Sequence, residues 1–351
     1  MTIEVYKEFV LKYKESDIYL YTIKNDNEIS ISVLNYGGII TRILTPDKNK
    51  KFENIVVGFK DIKDYIKNPS YFGAIIGRTA GRIYKGEFKL NKNTYILSKN
   101  YENNQGHGGN IGFDKKVWDL NVVKYKDKIS LELKSKSYHM EEGYPGNLDM
   151  VVTYTLDNNN NLSIVYEATS DEDTLVNMTN HTYFNLSGNL KNPITNQILK
   201  IDSDYILEID ETGVPTGKQL DVSNTPFDFR KITKIGDRID SNHNQIKLAN
   251  GYDHPFVLKD NKTQDIICMK DIDSGRYMKI TTNQNYVVIY SMNFTNGELL
   301  YNNTKNNTRY GICFETQNPP IGYNQTFLKN SILKKGEKYI QTTNYKFGLT
   351  K

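Results

Sequence analysis

Four short segments carry side chains able to move protons. Asn180-His181-Thr182-Tyr183-Phe184-Asn185-Leu186 sets an imidazole beside aromatic residues. Gly106-His107-Gly108-Gly109 places a second imidazole in a glycine-rich loop, where backbone can approach a ligand closely. Gly251-Tyr252-Asp253-His254-Pro255-Phe256 puts a carboxylate next to an imidazole before an apolar run. Cys313-Phe314-Glu315-Thr316-Gln317-Asn318-Pro319-Pro320 ends an apolar strand in a glutamate and then a Pro-Pro stop. A carboxylate and an imidazole can each take or release a proton near neutral pH, which is what general acid–base catalysis requires. Taken singly, each segment has a commoner structural explanation: a satisfied core histidine, a tight turn, an Asx-type turn or cap, an ordinary strand-end glutamate.

Other chemistries find less support. The five histidines are scattered, neither cysteine has a close partner, and no H-E-x-x-H or C-x-x-C spacing occurs, so no built-in metal site is expected. Gly77-Arg78-Thr79-Ala80-Gly81-Arg82 has neither the Walker-A lysine nor the Rossmann spacing. There is no G-x-S-x-G elbow. Cys268 and Cys313 are too few for a disulfide framework and read as small buried hydrophobes.

In order along the chain, the motifs are Gly77-Arg78-Thr79-Ala80-Gly81-Arg82-Ile83, His107-Gly108-Gly109 with Gly112-Phe113-Asp114, and Gly143-Tyr144-Pro145-Gly146-Asn147-Leu148. Thr179 to Leu186, Val214-Pro215-Thr216-Gly217, Phe227-Asp228-Phe229-Arg230, Tyr252-Asp253-His254 and Glu315-Thr316-Gln317 follow. This succession closely resembles the aldose 1-epimerase (galactose mutarotase) family over nearly the whole chain. The resemblance implies a large antiparallel β-sandwich with the sugar in an open cleft, and a cofactor-free exchange of the α and β anomers of a free aldohexose such as galactose or glucose. It assigns Glu315 as general base and His181 as general acid. His107 would contact the sugar near its ring oxygen, Arg82 and Asp253 would bind its hydroxyls, and Tyr183, inside the acid's own motif, joins them. Phe113, Trp118 and Phe314 are candidates to stack on the sugar, each with core packing as the commoner role. Many relatives carry Asn before the arginine where this chain has Gly81, and some a glutamine where it has Val288; both changes thin the polar contacts to hydroxyls. A relative acting on hexose 6-phosphates, or a non-catalytic sugar-binding protein on the same fold, remain alternatives.

These residues must be positioned by strands. The chain has 351 residues, 38% of them hydrophobic, with 26 tyrosines and one tryptophan. Abundant Tyr, Ile, Val and Thr with little Ala favours strands. Alternation predicts hairpins from 17–23 with 28–34, 117–125 with 129–133, and 151–156 with 162–166, then strands over 276–282, 286–290 and 310–315. The best helical stretch, 60–67, is short and stops at Asn68-Pro69. With no repeat or linker, an all-β single domain over 1–351 is expected. The net charge of +4 has no block of either sign, which argues against a nucleic-acid or membrane-surface partner. No apolar run reaches the ~18 residues of a membrane helix. The first residues lack a signal-peptide pattern, so a cytoplasmic protein, monomeric or weakly dimeric, is expected.

Overall fold

Alternation of apolar and polar side chains builds the largest sheet. In the strand Leu148–Asp157, Leu148, Met150, Val152, Tyr154 and Leu156 are buried while the residues between them are part-exposed. The computed structural model describes residues 4–259 and 266–350. Among them a nine-stranded sheet runs in the order Asp119–Lys124, Lys128–Ser137, Leu148–Asp157, Asn161–Ser170, Lys338–Leu349, Arg276–Thr282, Ile267–Lys270, Ile198–Ile201, Thr233–Lys234. A six-stranded sheet follows the order Tyr183–Phe184, Ile312–Gln317, Tyr286–Tyr290, Asp253–Leu258, Ser203–Ile209, Pro215–Asp221. All these neighbours pair antiparallel.

The two sheets share one apolar core. Leu133, Val152, Tyr166, Met278 and Tyr345 from the first meet Ile206, Phe256, Val287, Ile289 and Phe314 from the second. The arrangement is a β-sandwich, as the sequence implied. Each such side chain contributes about 1.5–3 kcal/mol on burial. A one-residue slip would turn a whole stripe outward, so burial fixes register. A five-stranded sheet built from Glu4–Tyr13, Ser16–Lys24, Ser30–Leu34, Ile40–Pro46 and Phe52–Asn54 adds Ile23, Ile31, Val33 and Ile43 to the same core.

The six-stranded sheet is covered on both faces, and this creates the site. All six residues of Ile312–Gln317 are buried. Ile312 and Phe314 enter the sandwich core, so Cys313 and Glu315 must point the other way. The same period of two sends His254 and Phe256 inward and leaves Asp253 and Pro255 on the outer face. On Tyr286–Tyr290, Val287 and Ile289 are core while Val288 and Tyr290 face outward.

The expected hairpins are present, paired as Ser16–Lys24 with Ser30–Leu34, Asp119–Lys124 with Lys128–Ser137, and Leu148–Asp157 with Asn161–Ser170. The expected helix at 60–67 is a 3-10 turn, Ile62–Ile66, started by Asp61, whose carboxylate accepts from the Lys63 amide. Among the described residues the α-helices are Asn244–Ala249 and Leu328–Ser331, too short to show a helical period in sequence. Cys313 is buried as expected, but Cys268 is only half-buried, because its strand Ile267–Lys270 turns it to the outer face of the sheet. Among the described residues, no helix is long and apolar enough to cross a membrane.

Candidate active site

The outer face of the six-stranded sheet floors a cleft of about 260 Å³. Arg82, His107, His181, Tyr183, Asp253 and Glu315, all six residues singled out in the sequence, line it. Each is set there by its own local structure.

His181 sits just after the two-residue strand Thr179–Asn180. Its amide donates to the Ala74 carbonyl at 2.9 Å, and its carbonyl accepts from the Gly73 amide at 3.0 Å. Asn180 locks the bend, donating to the Gly73 carbonyl at 3.0 Å and accepting from the Thr182 amide at 3.0 Å. With its backbone held on both sides, the imidazole projects Nε2 to within 3.5 Å of Glu315 Oε1. Both side chains are almost completely buried.

His107 follows Gly106, which pairs with Arg82 across two short strands. Asn100 brackets the loop, accepting from the Gly106 amide and donating to the carbonyls of Gly106 and Gly109. Gly108 is required here: a Cβ would lie 1.8 Å from the Gly77 carbonyl oxygen at a φ of +86°. The His107 ring meets that of His181 edge-on, centroids 5.3 Å apart.

Arg82 and Asp253 form the polar side of the cleft, Nη2 to Oδ2 3.3 Å. The guanidinium lies over the Tyr101 ring at 5.2 Å. Arg82 Nε and His107 Nδ1 are buried with no protein hydrogen-bond partner. That is unspent capacity at the wall of a polar cleft. Tyr183 contributes its ring, 5.0 Å from that of His181, while its hydroxyl donates to the Ser70 carbonyl at 2.9 Å.

Burial drives the electrostatics. It raises the Glu315 carboxyl from 4.5 to about 8, with Asp253 adding to the rise and Arg82 opposing it. It lowers His181 from 6.5 to about 4, with Arg82 contributing. His107 is pushed well below its ordinary value by burial, then by His181 and Arg82. Between those limits the His181–Glu315 pair holds one proton, which both shifts place on Glu315, 3.5 Å from the neutral His181 Nε2.

Several cleft residues had no signal in the sequence. Tyr71, Tyr101, Tyr290 and Phe294 line the walls, and the Tyr71 ring lies tilted against both His107 and His181, centroids 5.0 and 5.9 Å away. The aromatic residues proposed for stacking are elsewhere: Phe113, Trp118 and Phe314 are all in the sandwich core. Gly81 and Val288 do line the cleft, so both departures from the family pattern fall at the site. Distant in sequence, His107, His181 and Glu315 bring ligand atoms within 4.8 Å of one another. This donor set could also converge on a divalent cation, which no local spacing announced.

Residues 19–346 match the aldose 1-epimerase family. Galactose mutarotases of Mus musculus and Homo sapiens are each 37% identical, over 328 and 326 residues, covering 92% of this chain and 92% of theirs. The aldose 1-epimerase of Streptococcus thermophilus is 33% identical over 97% of this chain and 96% of its own. The crystal structure of galactose 1-epimerase from Lactobacillus acidophilus NCFM superposes with a TM-score of 0.90 at 32% identity, covering 100% of both chains. A family match over residues 19–346, with relatives 37% identical over 92% of the chain, means that the chain belongs to the aldose 1-epimerase family.

Proposed function

We infer that this protein is an aldose 1-epimerase that interconverts the α and β anomers of free aldohexoses such as galactose or glucose. The observation that carries the mechanism is the buried His181–Glu315 pair at 3.5 Å, with Arg82 and Asp253 beside it to take sugar hydroxyls.

In the proposed cycle Glu315 takes the proton of the C1 hydroxyl, the C1–O5 bond breaks, and His181 delivers its Nε2 proton to O5. The products are an open-chain aldehyde, a neutral imidazole and a protonated Glu315. Rotation about C1–C2 turns the other carbonyl face toward O5. His181 then recovers the O5 proton as O5 attacks C1, and Glu315 returns a proton to the former carbonyl oxygen. Every proton is restored, so the pair must hold one proton throughout. Burial keeps one proton on the pair across the neutral range and rests it on Glu315, so its passage across the 3.5 Å gap to His181 Nε2 precedes the ring opening. The cycle uses no cofactor. Arg82 offers several fixed donors and Asp253 two acceptor oxygens, matched to vicinal hydroxyls.

A free sugar fits better than a sugar phosphate. Among the described residues lining the cleft, Arg82 is the only Lys or Arg, and it is already paired with Asp253. Site residues drawn from positions 82 to 315 support one domain over the whole chain. We propose a monomer or weak dimer; sedimentation at several concentrations tests that state. Polarimetry on freshly dissolved α-galactose, α-glucose and α-glucose 6-phosphate tests the activity. Acceleration of a free sugar is expected; no acceleration of any free sugar overturns the reading.

A further inference from the structure

Cys313 Sγ lies 3.4 Å from His181 Nδ1, while Nε2, on the other side of the ring, faces Glu315. Cys313 is completely buried, two residues before Glu315 on the same face of Ile312–Gln317, and it pairs with Tyr183 and Tyr290 on the flanking strands. The proton path described above leaves this thiol unused. We propose that Cys313 is a positioning residue for the epimerase reaction, its sulfur accepting a hydrogen bond from Nδ1–H of His181 and so reserving Nε2 for the transferred proton. This rests on the reading of His181 as the acid.

The tautomer argument is strict. An imidazole that gives up and recovers a proton at Nε2 must keep its other proton on Nδ1 in both states. The reverse arrangement, S–H donating to Nδ1, would put the neutral ring's only proton on Nε2, and releasing it would make an imidazolate. Nδ1–H therefore needs an acceptor, and sulfur is the side-chain atom beside it. His181's own backbone also hydrogen-bonds its ring, so the Cys313 sulfur shares the task of holding it, and the other side chains around the ring are elsewhere. Glu315 is at Nε2, His107 and Tyr290 meet the ring edge-on, and Tyr71 and Tyr183 lie at shallow angles to its plane.

A thiol also suits the chemistry better than a carboxylate would. Burial, with Glu315 and Asp253, raises the Cys313 pKa well above its ordinary value, so the group stays neutral. A carboxylate at Nδ1 would stabilise the imidazolium and weaken it as an acid. The sugar's ring oxygen is a weak base and needs a strong acid opposite it. A neutral sulfur orients the ring without adding that stabilising charge.

The test combines ¹⁵N-histidine NMR at pH 7 with steady-state kinetics of Cys313→Val, Cys313→Ala and Cys313→Ser. The wild type should carry its neutral His181 proton on Nδ1. Cys313→Val retains apolar volume but has no acceptor; kcat should fall on the order of 10-fold and the Nδ1–H signal should weaken. KM should stay within about 2-fold, because the ring's orientation matters to the transition state more than to sugar binding. Cys313→Ser, which retains an acceptor, should recover both the tautomer and most of kcat. A wild-type proton on Nε2 overturns the proposal, as does Cys313→Val with unchanged kcat and spectrum. The wild-type spectrum decides even if the apolar variants fail to fold. If His181→Asn keeps full activity, the acid assignment itself fails; an inactive His181→Asn with a wild-type Nε2–H tautomer removes only the role of Cys313.

Discussion

His181 Nε2 and Glu315 Oε1 stand 3.5 Å apart at the bottom of a cleft, brought together from positions 134 residues apart. One comes from a bend pinned to residues 73 and 74, the other from mid-strand in the six-stranded sheet. Burial is the main influence on both groups, with Asp253 and Arg82 acting on Glu315 and Arg82 on His181, and the pair is close enough to exchange the one proton it holds. Removing either end should stop that exchange. Glu315→Gln and His181→Asn are each expected to lower kcat by ~10²–10⁴, the usual scale for a lost general base or acid. Initial-rate polarimetry measures this, and a variant turning over at the wild-type rate loses its assigned role.

The pH profile should report the pair as a unit. The proposed cycle needs one proton, no more and no fewer, on the pair, so kcat/KM is expected to be level between about 4 and about 8 and to fall on both sides. Below the lower limit His181 and Glu315 are both protonated; above the upper limit the pair has lost its proton. A profile that declines steeply between pH 7 and 6 would contradict a His181 held this low.

Stability carries the opposite signs of the two shifts. Glu315 binds its proton more tightly folded than unfolded. Its stabilising contribution is complete below its ordinary 4.5 and is lost as pH rises through about 8. His181 contributes above its ordinary 6.5 and loses that contribution as pH falls through about 4. Glu315→Gln removes the alkaline penalty of a buried carboxylate. The variant should therefore gain Tm over the wild type at pH 9 and gain much less at pH 5. Calorimetry at the two values checks this; equal shifts would mean that Glu315 ionises freely in the folded protein.

Arg82 and Asp253 should act on binding rather than on proton transfer. Their 3.3 Å pair is part-exposed at the cleft wall, and neither is the closest partner of the His181–Glu315 gap. Asp253→Asn is expected to raise KM roughly 10-fold while changing kcat much less, the signature of contacts made equally in ground and transition states. A fall in kcat with KM unchanged would move Asp253 into the chemistry. That outcome is conceivable physically because Asp253 helps raise the Glu315 pKa.

The site was more legible in the sequence than its setting. His181 and Glu315 sit in motifs distinctive enough to mark them, and strands such as Arg276–Thr282 and Tyr286–Tyr290 begin and end where alternation places them. The aromatic walls were not legible. Tyr71, Tyr101 and Tyr290 resemble many other tyrosines of this chain until the sheets bring them around His181 and His107. Phe314 shows the limit plainly, since one step along a strand separates a core side chain from Glu315 in the cleft. Cys313 reads as a small hydrophobe by type, and only its approach to Nδ1 gives it a task.

Gly81 gains a different meaning in three dimensions. By sequence it is a missing asparagine, an amide that substitution would put back. Its φ is +72°, which asparagine tolerates better than most residues, so the backbone alone does not forbid the change. Space does: a Cβ at this position would come within 2.5 Å of Pro320 Cγ and 2.7 Å of its Cβ. Pro320 itself lines the cleft, its ring in the room a side chain would need. Gly81→Asn is therefore expected to destabilise by about 1–3 kcal/mol, the scale of overpacking, rather than to improve sugar binding. Pairing it with Pro320→Gly, which removes both the Cγ and the Cβ it meets, should relieve the clash, because Pro320 alone among the rigid neighbours stands within 3 Å. Urea melts of both single variants and the double variant measure the coupling. Additive effects would show that Gly81 and Pro320 do not compete for the same space.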